Sequence, residues 1–159
     1  MTRRIAAFCL VPMLALACAP EGSTAVTSDD VSLSRLPGAD QGGKLLTAQL
    51  TGAAEVPGPG DKDGMGTARI TINVGQSTLC YELAVSNIAP ATAAHIHEAP
   101  AGSAGPVIIG LTAPTSGSSR ACMVIDGELA KEIAKDPADY YVNVHNADFR
   151  AGAVRGQLK

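Results

Sequence analysis

The three histidines of this 159-residue chain fall in two short strand-like runs, Ala94-His95-Ile96-His97-Glu98 and Tyr140-Tyr141-Val142-Asn143-Val144-His145. In an extended strand successive side chains point to opposite faces, so His95 and His97 share a face and Ile96 takes the other. In the second run Val142 and Val144 form the apolar face, which leaves Tyr141, Asn143 and His145 on the polar one. If the two runs are neighbouring strands, three imidazoles converge. Imidazole is the commonest metal-binding side chain and suits copper, zinc and nickel, so His95, His97 and His145 are candidate ligands of a single transition metal ion. The competing reading is an ordinary half-exposed H-x-H pair and an unrelated third histidine. Strand adjacency decides between them. No residue is marked as catalytic: the chain has no G-x-S-x-G nucleophile context and no Gly-rich phosphate loop running from a strand into a helix.

The elements that must position these side chains are short. From Lys44 onward apolar and polar residues alternate in runs separated by Gly and Pro, the pattern of an antiparallel all-β domain. Strands are expected at Leu46 to Leu50, Thr67 to Val74, Thr78 to Val85, Ala93 to His97, Val107 to Leu111, Ala121 to Ile125, Tyr140 to His145 and Ala153 to Leu158. Gly75-Gln76 reads as a hairpin turn that uses the positive φ open to glycine. One helix interrupts the strands, capped by Asp126, with Leu129 and Ile133, and Ala130 and Ala134, spaced i, i+4 before Asp136-Pro137 ends it. About eight strands in a segment of this length imply a Greek-key-like β-sandwich or flattened barrel. Its core must be aliphatic, because the chain has no Trp and the domain's aromatic residues are Tyr81, Tyr140, Tyr141 and Phe149.

The ends of the chain differ from its middle. Thr2-Arg3-Arg4 followed by the apolar stretch Ile5 to Leu16 has the layout of a signal peptide, residues 1–17, and is too short for a spanning helix. Leu14-Ala15-Leu16-Ala17-Cys18 fits ordinary signal peptidase and also resembles a bacterial lipobox, in which Cys18 becomes the lipid-bearing mature N-terminus. Residues 18–43, rich in Ser, Thr, Asp, Gly and Pro, read as a flexible tether ahead of the domain at residues 44–159. The expected location is the bacterial cell envelope as a lipoprotein, or the medium as a secreted protein. Removing the leader discards Cys9, and lipidation uses Cys18, so Cys80 and Cys122 remain for a disulfide, with thiolate ligation of metal as the alternative. Loss of Arg3 and Arg4 leaves ten basic against fifteen acidic residues. No basic stripe remains, so nucleic acid is not an expected partner.

Six segments carry a family resemblance: Leu50-Thr51-Gly52-Ala53-Ala54-Glu55-Val56-Pro57, Gly64 to Ala68, Ala94-His95-Ile96-His97, Gly105-Pro106-Val107, Tyr140 to His145, and Gly152-Ala153-Val154-Arg155-Gly156-Gln157-Leu158. In this order and spacing the chain from about Leu45 to Leu158 resembles the CHRD-domain family, the module named after chordin and found in many exported bacterial proteins. Chordin itself is an extracellular binding protein, so an envelope or extracellular protein partner is one implied role. A more distant resemblance is to the copper/zinc superoxide dismutase sandwich. His95-Ile96-His97-Glu98 before Ala104-Gly105-Pro106 looks like that family's H-V-H copper strand, His145 looks like its later copper ligand, and Arg155 looks like its anion-guiding arginine. The sequence departs where Val107 stands in place of the metal-bridging histidine, and no further histidine exists for a zinc site. What survives is a mononuclear three-histidine site.

The sequence therefore reads first as an exported, lipid-anchored protein that binds one metal ion, copper or alternatively zinc, through His95, His97 and His145. A superoxide-dismutase-like redox enzyme and a metal-free interaction module are the alternatives. Asn143 and Arg155 are candidates for positioning a ligand or guiding an anion, each with a structural alternative in hydrogen bonding to backbone. Glu98 reads as a solvated loop charge, and Glu55 as a structural carboxylate paired with an arginine or capping backbone donors.

Overall fold

A computed structural model describes residues 42–159. The leader, Cys18 and the tether up to residue 41 lie outside the described residues. Eight strands follow in chain order: β1 (Lys44–Thr51), β2 (Met65–Asn73), β3 (Thr78–Ser86), β4 (Ala91–Glu98), β5 (Val107–Leu111), β6 (Ser118–Val124), β7 (Tyr140–Asn146) and β8 (Val154–Gln157). A helix, α1 (Gly127–Lys135), sits between β6 and β7.

All strands join one antiparallel sheet in the order β5-β4-β7-β8-β1-β2-β3-β6. The sheet curls until its two edges meet through side chains. Thr112 N–H donates to the Tyr81 hydroxyl at 2.8 Å, and the Ser119 hydroxyl donates to the Thr112 carbonyl at 2.7 Å. The non-sequential neighbours, β3 beside β6, β4 beside β7 and β1 beside β8, give the Greek-key-like flattened barrel expected from the alternation. One side chain in two feeds the interior: Leu46, Ala48 and Leu50 from β1, Ile70 and Ile72 from β2, Leu79, Tyr81 and Leu83 from β3, Ile96 from β4, and Val142 and Val144 from β7 are all buried. Burying each such aliphatic side chain contributes about 1.5–3 kcal/mol, which makes the strand register hard to shift.

Two local details differ in interest. The helix starts as expected, with the Asp126 carboxylate accepting the N–H groups of Glu128 and Leu129, and it buries Ala130 and Ile133. The β2–β3 turn forms where expected but by another device. Residues Val74–Gln76 make a 3-10 turn in which the Gln76 N–H donates to the Asn73 side chain, and the positive φ falls on Ser77 at 51°. Gly75 does not carry it.

Cys80 and Cys122 are register partners on β3 and β6 and form a disulfide. The bridge ties an edge strand across 42 residues of chain. Closing a loop of that length restricts the unfolded chain by about 4 kcal/mol. The Cys80→Ser, Cys122→Ser double variant is expected to lose about that much stability in urea unfolding, with a loss under about 1 kcal/mol contradicting the entropic role.

Candidate metal centre

Strand pairing settles the question that the sequence left open. β4 and β7 are antiparallel neighbours, with His95 opposite Asn143, His97 opposite Tyr141 and Ala93 opposite His145. β8 continues the rows, placing Arg155 opposite Asn143 and Gln157 opposite Tyr141. His95 and His97 therefore face away from the core with Tyr141, Asn143 and His145, and His145 reaches His95 diagonally. The β4–β5 register shifts at Ile96/His97, so that His97 pairs with Val107. Such irregularities re-aim side chains at the rims of barrels.

The three histidines form one cluster. Their ligand nitrogens all lie within 4.8 Å of one another, and His95 Nδ1 is 3.1 Å from His145 Nε2. The ring centroids of His95 stand 5.6 Å from His97 and 5.0 Å from His145. Two of the rings are oriented by backbone. His97 Nδ1 faces the Gly105 carbonyl at 2.9 Å, and His145 Nδ1 faces the Arg150 carbonyl at 3.0 Å. A carbonyl can only accept, so both Nδ1 atoms carry the proton and both Nε2 atoms of the neutral rings present a lone pair. Holding the far ring nitrogen in this way is how metal-binding imidazoles are commonly oriented.

His97 is 8 % exposed, and its Nε2 is buried without a hydrogen-bond partner. A buried nitrogen left bare costs about 1–3 kcal/mol, a cost that a bound cation would remove. Burial pushes the His95 and His145 pKa values below the ordinary imidazole range. For His95 the neighbouring His145 and His97 push the same way, whereas for His145 the bond to the Arg150 carbonyl works against the shift. Both rings consequently remain neutral, and able to ligate, at a pH where a free imidazole begins to charge.

Behind the histidines lies a layer that sequence reasoning did not assemble. The Tyr141 ring stacks on His97 with centroids 4.7 Å apart and planes 9° from parallel, and its hydroxyl accepts the Gly105 N–H at 3.2 Å. On Tyr141 rests the Arg155 guanidinium, its central carbon 3.3 Å from the ring centroid. Arg155 donates to the Pro100 carbonyl at 3.3 Å and is 1 % exposed. It offers no surface to an incoming anion, and the hydrogen bond to backbone is the role that the geometry displays. Gln157 braces the same loop, donating to the Ala99 carbonyl at 2.8 Å and the Ala138 carbonyl at 2.7 Å.

Glu55, from the segment between β1 and β2, is 5 % exposed and packs beside Gly152. Gly152 has φ of 150°, and a Cβ there would collide with the Glu55 carboxyl. A glycine is required here. Burial pushes the Glu55 pKa up to about 7, against the opposing pull of the Arg155 charge and hydrogen bonds from Asn143 and the Val56 N–H. Glu98 is exposed and takes no part in the layer. Val107, opposite His97, is 52 % exposed and supplies no donor. Among the described residues the histidine trio is the group of metal-ligating side chains that the fold gathers.

Residues 46–158 match the family model of the CHRD domain. The chain belongs to the CHRD-domain family. The match reaches into all eight strands and includes every residue of the histidine cluster and of the layer behind it. No curated protein and no solved structure matches the chain. The CHRD domain here is thus an all-β barrel carrying a three-histidine group that could hold a metal ion.

Proposed function

We propose that this CHRD-domain protein is exported, anchored to the cell envelope through a lipid on Cys18, and binds one copper ion through His95, His97 and His145. The observation that carries the metal reading is that His97, whose Nε2 is buried and bare, offers a ligand nitrogen within 4.8 Å of those of two further histidines. Nitrogen donors and the usual affinity order of divalent ions favour copper, with zinc the competitor. The leader-like residues 1–17 support export, and the Cys80–Cys122 bond suits an oxidising compartment. An ion held by three neutral imidazoles would keep its charge and an open position, and the chain's part is to orient the rings through Gly105, Arg150 and Tyr141.

The deciding experiment is a copper and zinc titration of the full chain, purified without a histidine tag, beside the His95→Gln, His97→Gln, His145→Gln triple variant. One tight equivalent present in the wild type and missing in the variant supports the proposal; equal weak binding by both retires it in favour of a metal-free interaction module. For the anchor, the mass of membrane-extracted protein should show a lipid-bearing Cys18, and an unmodified N-terminus would leave a secreted protein.

Proton competition gives a further test. Because burial holds the His95 and His145 pKa values below the usual 6.5, proton competition at these two rings should set in at a lower pH than for a free imidazole. A titration series from pH 8 to 5 checks this, and a decline already complete above pH 6.5 would contradict it.

A further inference from the structure

We infer that the metal centre has a fourth protein donor, the side-chain oxygen of Asn143, turned toward the ion by Glu55. This inference rests on the three-histidine reading and concerns its coordination. Asn143 is 3 % exposed, and its row in the sheet places it between His95 on β4 and Arg155 on β8. Its Oδ1 lies 3.0 Å from His145 Nε2.

Counting hydrogens shows why that contact is unusual. The Asn143 side chain hydrogen-bonds to the Glu55 carboxyl, an acceptor for the amide NH2. With its nitrogen held there, the amide presents its oxygen to the histidines. His145 Nδ1 holds its proton against the Arg150 carbonyl, and His97 Nδ1 against the Gly105 carbonyl, so both Nε2 atoms present lone pairs. Asn143 Oδ1 and His145 Nε2 are therefore two acceptors 3.0 Å apart, at the histidine cluster to which His97, with its unpartnered Nε2, also belongs. His95 Nδ1, 3.1 Å from His145 Nε2, can supply a single hydrogen, and only to that partner. Asn143 Oδ1 and His145 Nε2 then face each other as two acceptors, while His97 Nε2 has no partner. One proton cannot serve all three, whereas a cation can.

The donor set becomes three imidazole nitrogens and one amide oxygen. Carbonyl oxygen is a hard ligand, and the absence of sulfur removes what selects monovalent copper, so the site suits a divalent ion, Cu(II) or Zn(II). Glu55 acts as a positioning residue, since losing its carboxylate frees the amide to turn its NH2 toward His145.

The test compares full-length wild type with Asn143→Leu, Asn143→Asp and Glu55→Leu by competitive Cu(II) titration and by the electron paramagnetic resonance spectrum of the Cu(II)-loaded protein. Asn143→Leu should weaken Cu(II) binding about 10- to 100-fold and change the copper hyperfine splitting. Asn143→Asp, which retains an oxygen at that place, should keep tight binding and a spectrum typical of nitrogen-plus-oxygen ligation. Glu55→Leu, which leaves no acceptor for the amide NH2, should weaken binding less than Asn143→Leu, and a folded Glu55→Leu protein with wild-type affinity would overturn the positioning role. A folded Asn143→Leu protein with wild-type affinity and an unchanged spectrum would overturn the inference while leaving the three-histidine site standing. Loss of binding in a folded Asn143→Asp protein would overturn it as well. If the wild type binds no copper or zinc, the underlying three-histidine reading fails and this one goes with it.

Discussion

On the proposed copper reading, changing His97 to Gln is expected to weaken binding by about 3 kcal/mol, a factor on the order of 100, because one of a few strong donors is lost. The consequence reaches the stability of the fold. A ligand that binds only the native state and is present at about 1,000 times its Kd adds about 4 kcal/mol. At the same copper concentration a variant bound about 100-fold more weakly gains only about 1.4 kcal/mol. Urea unfolding with and without copper should therefore show a large shift for the wild type and a small one for His97→Gln. The neighbouring Glu98→Gln change serves as control, since Glu98 is exposed and outside the cluster, and it should leave the shift intact. Equal shifts for wild type and His97→Gln would mean that copper stabilises the protein from somewhere else.

Alternation along β4 was enough to place His95 and His97 on one face, because the period of a strand is two and Ile96 has only the core to occupy. The same argument placed Tyr141, Asn143 and His145 together. Their meeting was not legible, since it depends on the pairing of β4 with β7, segments separated by β5, β6 and α1 and joined by long-range packing. Glu55 shows the limit more sharply. A carboxylate before Val56-Pro57 reads as a structural group, and its contact with Asn143 crosses from an irregular segment to a strand and leaves no periodic trace. Gly152 could have hinted at it, because a glycine beside a terminal strand marks a close approach without naming what approaches. The β2–β3 turn erred in a smaller way: the Asn73 side chain closes the turn and Ser77 adopts the left-handed conformation, which the preference for glycine did not anticipate. Backbone carbonyls are the least legible partners of all. Gly105 and Arg150 orient two imidazoles with atoms that every residue possesses.

Arg155→Met should cost about 3–5 kcal/mol of folding stability, a large share of the roughly 5–15 kcal/mol typical of a domain. Methionine fills much of the space but removes the donor to Pro100 and the cation resting on Tyr141. It also strips the buried Glu55 carboxyl of the charge that favours its ionised form. That last effect gives the variant a signature in pH. Burial already raises the Glu55 pKa in the folded protein to about 7, so this group's contribution is fully present below the ordinary value of 4.5 and fades as pH rises through 7. Without Arg155 the folded pKa rises further, and the fading continues to higher pH. The deficit of Arg155→Met relative to wild type should accordingly be greater at pH 8 than at pH 5. Adding Glu55→Gln removes the stranded carboxyl, so the double variant should lose that pH dependence and regain about 1 kcal/mol at pH 8. Urea unfolding of the four proteins at both pH values measures the coupling directly. A deficit independent of pH and strictly additive with Glu55→Gln would show that Arg155 stabilises the barrel through Tyr141 and Pro100 alone, and that its charge does not reach Glu55.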